Sequence, residues 1–190
     1  MEHTFKLNVP FLNLDDIIKG CIKGDLKQQE LLYSVLRAKM FGICLRYSNN
    51  KTEAQDVLHD GFMTLFASIK NYRGEGHFEA WASKIFVYQC IKANKKWELK
   101  KSGNEINESD FEQNVFDDSI LNILSAKEIL ELIQKLPSGY RMVFNLYEIE
   151  GYTHNEIAQM LNISEGTSKS QLSRAKKILQ EKLKVFKNII

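Results

Sequence analysis

Proline is scarce in this chain, with only Pro10 and Pro137 among 190 residues. Cysteine is equally sparse: Cys21, Cys44 and Cys90 are odd in number and far apart, with no CxxC pair and no Cys/His cluster. That pattern excludes a disulfide framework and a structural zinc site, and it predicts buried free thiols. No stretch approaches the roughly 18 apolar residues of a membrane span, so no membrane insertion is expected. Alternation of β-branched residues is missing, so no strand is predicted. A phosphate-binding loop, a dinucleotide glycine pattern, an HExxH motif and a nucleophile elbow are all absent, which removes the common enzyme signatures. No catalytic residue, metal or cofactor is therefore expected. The segment from Met1 to Leu7 lacks the apolar core of a signal peptide, and a cytoplasmic protein is the expectation.

What the chain does have is helical spacing. Leu32, Val35, Leu36, Met40, Ile43, Cys44 and Tyr47 form one stripe, and Ala54, Val57, Leu58, Gly61, Phe62, Leu65, Phe66 and Ile69 form a second. The second opens at Thr52 with Gln55 three residues on, a capping-box pattern. Asn71 to His77 interrupts with two glycines, and a third helix is predicted from Phe78 to about Trp97. Between Ser102 and Ile120 stand six carboxylates and no cation. Periodicity fails there, and acid dominates. Helical signals resume at Ser125 with Glu128 as a further capping box, then Leu130, Ile133 and Leu136 as an apolar stripe. Another helix is predicted from Ser138 to about Ile149, stopped by Gly151. The expected fold is all-α: two small helical domains, 11–98 and 124–187, joined by a flexible acidic linker over 99–123.

The C-terminal domain carries a helix-turn-helix pattern. Thr153 and Glu156 make a capping box ahead of a short helix with Ile157, Ala158 and Leu161 on its core side. Asn162, Ile163 and Ser164 form the turn, with Ser164 as N-cap of a second helix. In that helix Leu172, Ala175, Leu179, Leu183 and Phe186 share one stripe, while Thr167, Ser170, Gln171, Arg174 and Lys177 fall elsewhere. Seven cations stand against two carboxylates from Glu165 to Ile190. A polar, cationic helix face of this kind meets base edges and phosphates.

At Leu136-Pro-Ser-Gly-Tyr-Arg-Met-Val-Phe-Asn-Leu146 through Leu179, and most closely at Ser164 to Lys176, the chain resembles region 4 of the extracytoplasmic-function sigma factors, the small sigma subunits of bacterial RNA polymerase. Independently, Lys51 to Phe62 resembles the segment of region 2 that binds the polymerase clamp. Phe78 to Trp81 through Asn94 to Lys96 resembles the part that opens and reads the upstream promoter element. Two signatures in the family's order are more specific than either alone.

The resemblance implies core RNA polymerase and promoter DNA as partners. Asp56, His59, Asp60 and Met63 would meet polymerase. Tyr72, Arg73, Lys84, Asn94, Lys95 and Lys96 would read the melted −10 element, by stacking and by following the strand backbone. Trp81 is expected in or beside the core. Thr167, Lys169, Ser170, Gln171, Arg174 and Lys177 would contact the −35 duplex. Ser168 departs from a β-branched apolar residue common in the family, and Gln171 from a common Arg, which moves base preference towards adenine. Family members are often held inactive by an anti-sigma factor, so such a partner is implied too. The acidic linker is either a nucleic-acid mimic in the RNA path or a solubilising tether. The alternative reading is a helix-turn-helix regulator that binds operator DNA without polymerase, although residues 11–98 show neither the strands nor the acidic site of a receiver domain.

Overall fold

The first element is one the apolar stripes did not single out. In the computed structural model, which describes residues 13–101 and 126–187, helix α1 spans Leu14–Ile22. Asn13 caps it, its side-chain oxygen accepting the Asp15 N–H at 3.1 Å, and Asp15 and Asp16 suit the positive end of the helix dipole. Ile17, Ile18 and Cys21 bury its inner face. Helix α2 (Leu26–Tyr47) follows, capped by Asp25. Its predicted stripe is buried except for Val35, which is half exposed because it lies well round the helix from Leu36, Met40 and Ile43.

Helix α3 (Lys51–Ser68) begins earlier than the Thr52 cap predicts. Asn50 is the cap, accepting the Glu53 N–H at 2.9 Å, and Glu53 returns to the Asn49 backbone N–H at 3.0 Å and its side-chain amide at 2.8 Å. Thr52 already lies inside the first turn; an asparagine in extended backbone before it is the better cap. A short 3-10 turn, Ile69–Asn71, ends the element. Helix α4 runs Phe78–Lys101, one turn beyond the expected end. It crosses α3 at Gly61, where a Cβ would fall 2.3 Å from the Phe86 ring, so only glycine permits the approach. Phe62 meets Phe86 edge-on at 5.1 Å. Cys21, Cys44 and Cys90 are buried free thiols, and burial pushes the Cys90 thiol well above its ordinary range.

The second group of helices is α5 (Ala126–Gln134), α6 (Ser138–Phe144), α7 (His154–Leu161) and α8 (Glu165–Lys187). The expected linker (99–123) falls almost wholly, and the Ser125 cap entirely, outside the described residues. The helix predicted to reach Ile149 is instead α6 followed by a wider turn over Asn145–Ile149. The Asn145 amide explains the change: its Nδ2 donates to the carbonyls of Arg141 at 2.9 Å and Arg46 at 3.0 Å, drawing the backbone away from the regular ladder. Gly151 then turns the chain in the left-handed region at φ 78°.

The two groups share one apolar cluster, in which Met142, Val143, Leu146, Ile157 and Leu172 join the core built from α1 to α4. A polar seam borders it. The last-turn carbonyls of α2, which have no partner within the helix, are met from across the seam: Leu45 by Gln134 Nε2 at 2.9 Å and Arg46 by Asn145. The guanidinium of Arg141, only 1% exposed, donates to Gln134 O at 2.7 Å and to Asn49 Oδ1 at 2.6 Å. Arg46 pairs with Glu150 at 2.8 Å.

Candidate nucleic-acid interface

The recognition helix is positioned by its turn. The capping box at α7 forms as its residues predict: the Thr153 hydroxyl accepts the Glu156 N–H at 3.3 Å, and the Glu156 carboxylate accepts the Thr153 N–H at 2.8 Å. Both Thr153 interactions hold the Glu156 carboxyl below its ordinary value. Asn162 closes α7 in the left-handed region, φ 58° and ψ 49°, a conformation asparagine tolerates better than most residues. Ser164 then caps α8, accepting the Thr167 N–H at 2.9 Å.

Ser168 is fully buried, and its hydroxyl lies 2.9 Å from His154 Nδ1. His154 also stacks on Tyr147 at 4.4 Å. The departure at Ser168 thus has a partner rather than a gap: a hydroxyl–imidazole bond replaces apolar packing between α7 and α8. Leu172 and Ala175 complete the buried side.

On the other side of α8, Lys169, Ser170, Arg174 and Lys177 are exposed. Lys169 pairs with Glu165 at 2.6 Å and lowers that carboxyl's pKa. Arg174 donates to the Tyr140 hydroxyl at 3.2 Å, which holds its guanidinium against α6. Two expected contacts stand differently. Thr167 is half-buried, with its hydroxyl 2.8 Å from the Ser164 hydroxyl in the cap. Gln171 is also half-buried, its amide lying against Gly139 at the start of α6. Ser173 was not singled out from sequence, yet it is exposed between Ser170 and Lys177. Its position three residues after Ser170 is the signal that places it on this face.

In the first group of helices, the loop after α3 is built round an aromatic cluster. Tyr72 meets Phe78 at 5.0 Å and Trp81 at 5.3 Å, and its hydroxyl donates to the Gly76 carbonyl at 2.7 Å. Phe78 is buried and Trp81 half-buried at the core margin. Gly74 and Gly76 both adopt positive φ, 76° and 75°. Arg73 is exposed beside them, as are Lys84, Lys95 and Lys96 along α4. Asn94 is not available in this arrangement: it is 7% exposed, and its Oδ1 accepts the Ser138 hydroxyl at 2.8 Å across the seam. A long-range contact of this kind leaves no trace in local spacing.

On α3, Asp56, His59, Asp60 and Met63 are all exposed, Met63 by 60%. They form an acidic and partly apolar face opposite the Val57, Leu58, Phe62 and Leu65 core stripe. Among the described residues no group of His, Cys, Asp and Glu side chains has the arrangement of a metal site. No helix of those residues is long and apolar enough to cross a membrane.

Comparison with known proteins agrees with both halves. Residues 32–97 match the family described as sigma-70 region 2, and residues 126–179 match sigma-70 region 4. The RNA polymerase sigma-H factor of Pseudomonas aeruginosa is 24% identical over 177 residues, covering 88% of this chain and 92% of that protein. The sigma factor SigW of Bacillus subtilis, of the extracytoplasmic-function group, is 26% identical over 178 residues, covering 88% and 95%. Among solved structures, the sigma factor RpoE of Bartonella quintana, in complex with the anti-sigma factor NepR, aligns with a TM-score of 0.50 and 22% identity over 84% of this chain and 99% of that one. Two sigma-70 regions in order on one chain, with relatives aligned almost end to end, place this protein in the extracytoplasmic-function group of RNA polymerase sigma factors.

Proposed function

We infer that this protein directs core RNA polymerase to particular promoters and is not itself an enzyme. The observation that carries this is the succession of a region 2 and a region 4 match on one helical chain. Residues 11–98 act as the region 2 domain, which docks on polymerase through Asp56, His59, Asp60 and Met63. Its −10 reader is Tyr72, Arg73, Lys84, Lys95 and Lys96, acting on single-stranded DNA by cationic tracking of the backbone and stacking at the loop, while Asn94 is engaged by Ser138 and is left out of that set. Residues 124–187 act as the region 4 domain. There Lys169, Ser170, Arg174 and Lys177 face the −35 duplex from α8, while Thr167 and Gln171 set the helix against its cap and α6. The intervening residues 99–123 are the tether. The working place is the cytoplasm, where polymerase and chromosome are, and an anti-sigma protein is a regulator in keeping with this family.

The test is run-off transcription with purified core polymerase on upstream fragments of the source genome. Promoter-dependent transcripts are expected only when this chain is added. A gel shift separates the sigma reading from the operator-binding regulator: a sigma factor retards promoter DNA in the presence of core, whereas tight retardation by the free chain favours the regulator.

A further inference from the structure

Two side chains of α8 that the resemblance gives to the −35 duplex are both met by the first turn of α6, at neighbouring residues. Arg174 donates from Nη1 to the Tyr140 hydroxyl at 3.2 Å. Gln171, about one turn earlier in α8, lies against Gly139. The two contacts have opposite consequences for what DNA would meet.

At Tyr140 the reading group is held but not hidden, since Arg174 stays exposed while bonded. A guanidinium has five N–H donors, and the phenol oxygen takes one. The edge formed by Nη2 and Nε stays free, and a pair of parallel donors of this kind matches O6 and N7 of a guanine. A long cationic side chain gives up rotamer freedom when it binds. The bond to Tyr140 is made before DNA arrives, so part of that freedom is already gone.

At Gly139 the reverse holds. A Cβ there would stand 3.2 Å from Gln171 Nε2 and 3.5 Å from its Cδ and Oε1, the first closer than an ordinary van der Waals contact. The niche for the amide therefore exists because position 139 carries no side chain. Gln171 is half-buried in it. An amide turned to α6 does not present its donor and acceptor to an adenine.

We propose that Gly139 and Tyr140 decide from α6 which side chain of α8 reads the −35 duplex, Tyr140 presenting Arg174 to a guanine and Gly139 withholding Gln171. This rests on the assignment of α8 to the −35 duplex above. Tyr140 is a positioning residue, because it acts through Arg174.

The experiment measures binding of the polymerase complex to one promoter and to its single-base-pair −35 variants by filter binding. Arg174→Ala locates the base pair that Arg174 reads, as the one whose discrimination collapses. Tyr140→Phe removes only the hydroxyl. It should lower discrimination at that base pair about fivefold, the equilibrium factor of one ordinary hydrogen bond, and leave the other positions unchanged. In the Arg174→Ala background it should change nothing further. A purely structural Tyr140 would instead weaken binding equally on every variant. Gly139→Ala displaces the Gln171 amide at small cost, because the crowded atoms end a flexible side chain. It should create a new preference for adenine that the further change Gln171→Ala abolishes. In the free chain, nitrogen relaxation by NMR should report a restricted Arg174 Nε–H that becomes mobile in Tyr140→Phe. Should either α6 variant lose helicity by circular dichroism, the other still tests the proposal. Undiminished discrimination in Tyr140→Phe, a uniform loss across the promoter variants, an Arg174 Nε–H equally mobile in both chains, or no new preference in Gly139→Ala would each overturn it. An Arg174→Ala complex with every base preference intact would do the same. A chain that confers no sequence-dependent binding on core polymerase would instead count against the sigma assignment, and the Arg174 relaxation in the free chain would still decide the Tyr140 contact.

Discussion

Ser168 shows how a single residue can exchange one kind of helix contact for another. The hydroxyl is buried with His154 Nδ1 as partner, so removing it strands a half-buried imidazole nitrogen between α7 and α8. The net worth of such a bond is about 1 kcal/mol. Ser168→Ala should lower unfolding stability by about that amount, read from urea denaturation followed by circular dichroism. An unchanged midpoint would mean that the His154 ring finds water instead. The same residue scale explains Gln171. Its helical position alone assigns it to DNA, but Gly139 opposite leaves room for its amide against α6, and a glycine's role as a neighbour's floor is visible only in three dimensions.

Among the elements, α7 is the one whose start was most legible in the sequence, because a capping box is a local device: Thr153, Glu156 and two backbone N–H groups suffice. It carries a pH signature. The Glu156 carboxyl lies below its ordinary value of 4.5 because the Thr153 N–H and hydroxyl favour its charged form. A depressed folded-state pKa gives stability that is fully present above the unfolded value and lost as pH falls through the folded value. The stability difference between wild type and Glu156→Gln should therefore be constant near neutrality and shrink below about pH 4.5, as thermal melts over an acid series will record. Other elements were less legible for physical reasons. Helix α1 is only nine residues long and offers too few turns to show a period. The wide turn at Asn145 is imposed by the Arg46 carbonyl from a helix about a hundred residues earlier. Asn94 falls in the same class: the family resemblance marked it for DNA, while its burial is set by Ser138.

At the scale of the whole molecule, the two halves must act on one promoter at the same time, and salt dependence can test this. Each phosphate contact displaces counterions, so it steepens the fall of log K with log salt by about 0.9 on duplex DNA and about 0.7 on a single strand. Arg73 and Lys177 are exposed cations on opposite halves, one proposed for the melted −10 strand and the other for the −35 duplex. Lys177 stands clear of the pairs that engage Lys169 with Glu165 and Lys176 with Glu148. Lys177→Ala in the complete polymerase complex should flatten the slope by about 0.9, and Arg73→Ala by about 0.7. Because the two positions are far apart and share no partner, their effects should add in the double variant, to a total of about 1.6. Filter binding of a labelled promoter fragment from low to moderate salt gives the three slopes. Were the halves to hold DNA in alternation, the double variant would be no flatter than the more affected single one, because each bound species would have already lost its only altered contact. Additivity therefore requires that one complex hold the −10 strand and the −35 duplex at the same time, with the altered contacts of both halves made in every bound species.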